Sequence, residues 1–218
     1  NYAANYVTGD AILFLNNDTE FTHKGWGKEL MSNVLRPGVG FVGVKLIYDD
    51  HTIQHAGVIL GIGGVAGHSH KFISSKDPGY FKRIQSCQEY SALTAACLAI
   101  KIENWKKLNG FDDKRFKVNY NDVDICLRAR ELKLRNIYLP NVVVYHHESK
   151  TRGRPEYAEL RRWHNEKRHL LSRWDKLIKD DPYYNPNLSL INEDFSIAIS
   201  DKKRIKPKTI CDYINHIR

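Results

Sequence analysis

Three short stretches carry residues that can do acid, base or metal chemistry. Asn16-Asn17-Asp18-Thr19 closes the apolar run Ala11-Ile12-Leu13-Phe14-Leu15, Asn121-Asp122-Val123-Asp124 stands in mid-chain, and a strand-like run ends in His146-His147. Acidic and imidazole groups thus fall where buried strands stop. In open α/β sheets the carboxyl ends of parallel strands form the ligand crevice, so Asp18 and His146 can meet although they are far apart in sequence. A carboxylate and an imidazole together suit a divalent cation, Mn2+ or Mg2+, and the nitrogen ligand shifts the choice toward a metal such as Mn2+.

The elements needed to position these groups are legible as alternating apolar runs and helical patterns, which point to an α/β fold with a mostly parallel sheet flanked by helices. Ala11 to Leu15 reads as a strand. Trp26, Leu30, Met31 and Val34 recur at helical spacing, and Arg36-Pro37-Gly38 ends that helix. Val39 to Ile47 reads as a second strand. From Asp49 to Gln88 the pattern loosens into glycine, histidine and serine, the composition of a long binding loop or a disordered segment. Ala92 to Ile102 is apolar, and Glu103 to Leu108 makes a short helix closed by Asn109-Gly110. An Asn or Asp between Asn119 and Asp122 caps a helix reaching about Leu132. On that helix Asp122 and Asp124 stand about 200° apart, so one can be catalytic while the other is structural, paired with Arg128 at i, i+4. Asn136 to Tyr145 is strand-like though interrupted by Pro140. Because neighbouring strand residues face opposite ways, at most one of His146 and His147 reaches a metal.

The sequence divides at about residue 153. From Pro155 to Lys179 an amphipathic pattern, with Tyr157, Leu160, Trp163, Leu170, Trp174 and Ile178 on one face, predicts a long helix packed on the first part, or laid into a membrane interface. Residues 1–153 are therefore expected to form the reactive part and 154–218 a helical extension with a basic tail. The chain has 218 residues, 42% of them hydrophobic, enough for one sizeable core. Its longest uncharged apolar stretch, Ala92 to Ile100, is far short of the roughly 20 residues of a membrane span. No leader is visible before Asn1, and the chain is expected to begin inside a longer protein.

The four cysteines form no C-x-x-C pair and read as reduced thiols of a cytoplasmic protein. A net charge of +9 raises nucleic-acid binding, but basic and acidic residues are interspersed except at Lys202-Lys203-Arg204 with Lys206 and Lys208. That distribution fits a solvated surface or attraction to anionic lipid and phosphorylated substrates, not nucleic acid. Gly61-Ile62-Gly63-Gly64-Val65-Ala66 matches G-x-G-x-x-A, yet no helix pattern follows, so a dinucleotide site is not expected.

Taken in order, Leu13-Phe14-Leu15-Asn16-Asn17-Asp18, Gln54-His55-Ala56-Gly57, Thr94-Ala95-Ala96-Cys97, Gly110-Phe111-Asp112, Asn121-Asp122-Val123-Asp124 and Tyr145-His146-His147-Glu148-Ser149 resemble family 2 glycosyltransferases. The likeness is to bacterial rhamnosyltransferase-like members that build surface polysaccharides. It implies a GT-A fold and inverting transfer of a sugar from a nucleotide-diphosphate donor to a saccharide or lipid-linked saccharide acceptor, at the inner face of the cell membrane. By that resemblance Asp18 and His146 hold the metal, Asp122 is the catalytic base, and Asn17, Arg152 and Arg154 contact the donor diphosphate. His55 and Asp124 would contact the acceptor. The family's first metal-motif acid is Asn16 here, and nothing in the sequence matches its N-terminal nucleotide-binding βαβ unit. The resemblance therefore implies the second half of such a domain, not expected to be active by itself. A noncatalytic carbohydrate-binding or scaffold module on the same fold is the alternative.

Overall fold

Val39–Ile47 is buried at every one of its positions, so strand β3 is covered on both faces and its nearly continuous apolar sequence is what that environment selects. In this computed structural model, which describes residues 1–147 and 157–198, β3 lies at the centre of the main sheet. The strands are β1 Ala11–Leu15, β2 Thr19–Phe21, β3, β4 Ile53–His55, β5 Val58–Leu60, β6 Ala66–His68, β7 Gln88–Glu89, β8 Cys97–Lys101 and β9 Arg135–His146. The α-helices are α1 Trp26–Val34, α2 Ile102–Leu108, α3 Asn121–Glu131 and α4 Tyr157–Lys179.

The sheet runs β1-β8-β3-β9-β2, with β4 added to β3 and β7 to β9. The expected α/β architecture with flanking helices is present, but the pairing is mixed: β3–β9 is parallel, and the other pairs of this sheet are antiparallel. Strands and helices alternate along the chain as in a parallel sheet, yet β8 inserts between β1 and β3 and runs against both. Two reversals cancel. β1, β3 and β9 consequently point the same way, and their carboxyl ends share one edge, which is the property the site requires.

One face of the sheet packs Phe41 and Ile47 of β3 against Val123, Ile125 and Leu127 of α3, with Leu170, Trp174 and Ile178 of α4 in the same core. The opposite face packs Val42, Val44 and Leu46 against Leu30 and Val34 of α1. β9 continues through Pro140 by a bulge: Val44 pairs with Leu139 and Lys45 with Val143. A proline lacks the N–H that regular pairing would use, so a bulge is where it fits.

The segment from Asp49 to Gln88 is not an open loop. Ile53, Ala56, Val58, Ile59, Leu60, Ile62, Val65 and Ile84 are all buried in the main core, and β5 pairs with β6. The amphipathic helix α4 packs on the rest of the molecule. Its buried Glu166 accepts hydrogen bonds from the backbone N–H groups of Lys117 (2.9 Å), Val118 (3.1 Å) and Asn119 (2.9 Å) and from the Asn119 side chain (2.7 Å). This fixes the approach to α3, which begins after Tyr120 in a left-handed conformation (φ 61°) rather than after a side-chain cap.

Glu166→Ala would leave these N–H groups without an acceptor, at a cost of roughly 2–4 kcal/mol. Urea unfolding should show that loss, whereas Glu159→Ala, on the exposed first turn of α4, should change stability by less than about 0.5 kcal/mol.

Candidate active site

Beyond β1 the chain turns through Asn16, Asn17 and Asp18 into β2, and β2 pairs with the end of β9, Thr19 opposite His146. That pairing brings residues from the two ends of the sheet together. The turn is held by Thr19 Oγ1 donating to the Asn16 carbonyl (2.8 Å), Asn16 N–H to the Ala96 carbonyl (3.0 Å) and His147 N–H to the Asp18 carbonyl (2.9 Å). His146 Nε2 then lies 3.2 Å from Asp18 Oδ1 and 3.0 Å from Asn16 Nδ2.

The orientation of the His146 ring is set from β4. Gln54 Nε2 donates to the His146 carbonyl (3.3 Å), which turns Gln54 Oε1 toward His146 Nδ1 at 2.6 Å. Nδ1 must therefore carry the proton of a neutral ring, and the Nε2 lone pair faces Asn16 and Asp18. Asp18 Oδ1 is buried and has no hydrogen-bond donor. Asp18 Oδ1 has no donor while Nε2 accepts from the Asn16 amide, and a cation that displaced that amide would find one oxygen and one nitrogen ligand. No group of three or more His, Cys, Asp or Glu able to hold a metal occurs among the described residues; Asp18 and His146 are a pair, with the Asn16 amide beside them.

Asp122 sits in the first turn of α3. Its Oδ2 accepts from Ala95 N–H (3.1 Å) and its Oδ1 from its neighbour Val123 N–H (2.8 Å). Ala95 adjoins Ala96, whose carbonyl holds Asn16, so a single two-residue step links Asp122 to the turn that carries Asp18. Burial pushes the Asp122 carboxyl above the usual carboxylate range, opposed by its bonds to Ala95, Val123 and Thr94. A carboxylate so placed is a stronger base than one in water.

Two expected acceptor contacts are overturned. Asp124 is fully buried on the other side of α3, bonded to Arg128 Nε (2.8 Å), Trp174 Nε1 (3.0 Å) and Arg173 (3.3 Å). It ties α3 to α4, the structural half of the pair that helical geometry separates. His55 is also fully buried: its Nε2 accepts from Gly57 N–H (3.3 Å) and its Nδ1 meets His68 Nδ1 at 2.9 Å. Of Gln54-His55, the residue that contacts His146 is the glutamine. Ile53 pairs with Ile47 and His55 with Leu46, which leaves Gln54 as the extra residue of a bulge that aims it at His146. A glutamine inside a buried three-residue strand is the signal that could have found it. Asn17 is exposed in the turn. His147 faces away from His146, bonded to Asp49 and 3.7 Å from Glu20. Arg152 and Arg154 lie outside the described residues.

The fold is that of the GT-A glycosyltransferases. The chain superposes on the crystal structure of GalNAc-T7 with UDP, GalNAc and Mn2+ with a TM-score of 0.59, over 82% of this chain and 34% of that one, at 13% identity. In sequence it is 41% identical over 199 residues to the uncharacterized protein y4gI of Sinorhizobium fredii, and 36% identical over 195 residues to the O-antigen biosynthesis protein RfbC of Myxococcus xanthus. Those matches take in 91% and 89% of this chain but span 22% and 15% of the relatives' lengths. No family model matches the sequence. No helix among the described residues is long and apolar enough to cross a membrane.

The histidines behind the site give the fold an acid-sensitive layer. Burial, with the charges of His68 and His146, holds His55 well below the ordinary imidazole range. Burial, with Lys71 and His146, brings His68 to about 4, and burial, with Arg83, brings His70 to about 4. Between pH 6.5 and 4 the unfolded chain takes up protons that the folded one refuses, so stability falls as pH falls through that window and is level above it. The loss should grow toward pH 4.5, opposed in part by Asp122 and Asp181, whose raised carboxyl pKa acts in the other direction. Urea midpoints measured from pH 7.5 to 4.5 check this, and a flat profile would contradict the buried, neutral state of these rings.

Proposed function

We propose that the chain is the metal- and acceptor-binding part of an inverting glycosyltransferase, transferring a sugar from a nucleotide-diphosphate donor to a saccharide or lipid-linked saccharide acceptor. Surface polysaccharide synthesis at the cytoplasmic face of the cell membrane is the setting we infer, in keeping with the O-antigen role named for the Myxococcus relative. The observation that carries the reading is the buried, donorless Asp18 Oδ1 facing the oriented Nε2 of His146 at 3.2 Å. Such a pair costs stability by itself and is useful as a cation ligand.

Asp18 and His146 would hold a divalent metal, Mn2+ or Mg2+, which when bound supplies Lewis-acid stabilisation of the charge growing on a departing diphosphate. Gln54 keeps the ring of His146 in the tautomer that offers Nε2. Asp122 takes the proton from an acceptor hydroxyl as that oxygen attacks the sugar carbon, and its raised pKa improves it for the task. Attack assisted by one base, on the side away from the leaving group, inverts the configuration at that carbon. Asn17 in the exposed turn, and Arg152 and Arg154 by the sequence resemblance, are the candidate diphosphate contacts.

Mn2+ with inorganic pyrophosphate is the probe that tests the metal site, by calorimetry and by the Mn2+ resonance signal. Asp18→Asn should weaken binding by at least roughly tenfold, and Gln54→Leu by roughly 10- to 100-fold through loss of ring orientation. Asp122→Asn should leave that binding intact while lowering sugar transfer by roughly 10²- to 10⁴-fold, assayed in the longer protein that contains this chain. Binding that ignores Asp18 would sink the reading.

A further inference from the structure

Lys45 is a buried cation that the proposed chemistry leaves unused. It is 7% exposed, and no described residue gives it a hydrogen bond or an ion pair. Its ammonium nitrogen is not among the sealed polar atoms of the interior, so the stem is buried and the head is open. An unpaired charge in such a place is costly, and its same-face neighbours on β3 are Gly43 and the apolar Ile47.

Lys45 stands near the carboxyl end of β3, the edge that carries the candidate site. On β3, Lys45 falls on the face shared by Phe41 and Ile47, the face covered by α3. One step below it, Gly43 lies against Leu93, where an added Cβ would come within 3.1 Å of the Leu93 side chain. From Leu93 the chain continues through Thr94 to Ala95, whose N–H holds Asp122. One step above Lys45, Leu46 pairs with His55 beside Gln54, and across the sheet Lys45 pairs with Val143, three residues before His146. By register the lysine is thus flanked by the segments that lead to the base and to the metal pair.

We propose that Lys45 is a phosphate-binding residue of the substrate cleft, its ammonium pairing with an oxyanion that the substrate brings to the end of β3. The proposal rests on the glycosyltransferase reading, in which both the nucleotide-diphosphate donor and a lipid-linked acceptor carry phosphate. A compact ammonium acts on phosphate as a point charge and gains most where water is scarce. Burial lowers the Lys45 pKa, and a bound phosphate would restore it.

Lys45→Met keeps the length of the stem and removes the charge, with Lys45→Gln as a second variant should the first not fold. Without ligand the variant should melt at or above the wild-type temperature, since it relieves an unpaired charge. Calorimetry with two probes then tests the role: Mn2+ with inorganic pyrophosphate, and farnesyl monophosphate in detergent micelles. At least tenfold weaker binding of one probe is expected. A loss confined to pyrophosphate and shared with Asp18→Asn assigns the lysine to the donor, and a loss confined to the monophosphate and independent of Asp18 assigns it to the acceptor. Both probes binding the variants as tightly as the wild type overturns the proposal and leaves the metal site standing. Failure of the wild-type chain to bind either probe overturns the glycosyltransferase reading and this proposal with it.

Discussion

The site depends on one constraint: β1, β3 and β9 must run in the same direction so that their last residues share an edge. Hydrophobic burial enforces it. β3 is covered on both faces, which leaves its own pairing edges as the places where β8 and β9 can dock, and each brings its partner's end to a fixed height. The polar groups at that edge are then set largely by backbone hydrogen bonds, with the His146 ring oriented by Gln54 and Asn16. Asn16 is held by Ala96, Asp122 by Ala95 and Asp18 by His147. A rigid frame of this kind is what allows Asp18 Oδ1 and His146 Nε2 to stay 3.2 Å apart with little to stabilise that approach.

Much of this frame is legible in the sequence because it obeys local rules. The limits of α1 and β3, the Asn109 turn in a left-handed conformation (φ 54°) after α2, and the Asp124–Arg128 pair follow from periodicity, turn chemistry and helical spacing. What escapes such reading is non-local. β2 is three residues long, too short for a pattern, and exists because β9 offers it an edge. The segment from Asp49 to Gln88 looks loose in sequence because its apolar residues are spaced by tight turns, with Gly57 at φ 105° and Gly61 at φ 88°, where a side chain would be strained. Its burial is decided by Tyr90, just past its end, by Asp181, far along the chain, and by the core they reach.

The candidate site shows the same division. Asp18 and His146 are identifiable as polar residues at the ends of apolar runs, and they meet because β2 pairs with the end of β9, whereas Asp122 starts α3 and is linked to the same turn through Ala95 and Ala96. Gln54 is masked by its neighbour, because a histidine advertises chemistry more loudly than an amide. The bulge in β4 reverses their roles, burying His55 against His68 and turning Gln54 onto His146. Asp124 is drawn toward the substrate by its proximity to Asp122 in sequence, although its own geometry on α3 points it at Arg128 and the buried Trp174.

Among the described residues, the Asp18 Oδ1 atom has no hydrogen-bond donor and the Lys45 ammonium has no partner, and the two opposite charges do not pair with each other. A fold selected for stability alone would join them or replace both with apolar groups, since a well-packed apolar pair is often the more stable arrangement. Keeping them apart makes sense for a ligand that is itself divided in charge, with a cationic end for Asp18 and His146 and an anionic end for Lys45. A metal-bound phosphate has that form. On the proposed function, the stability forgone there would become binding energy directed at one class of ligand, which is how a site gains selectivity without adding contacts.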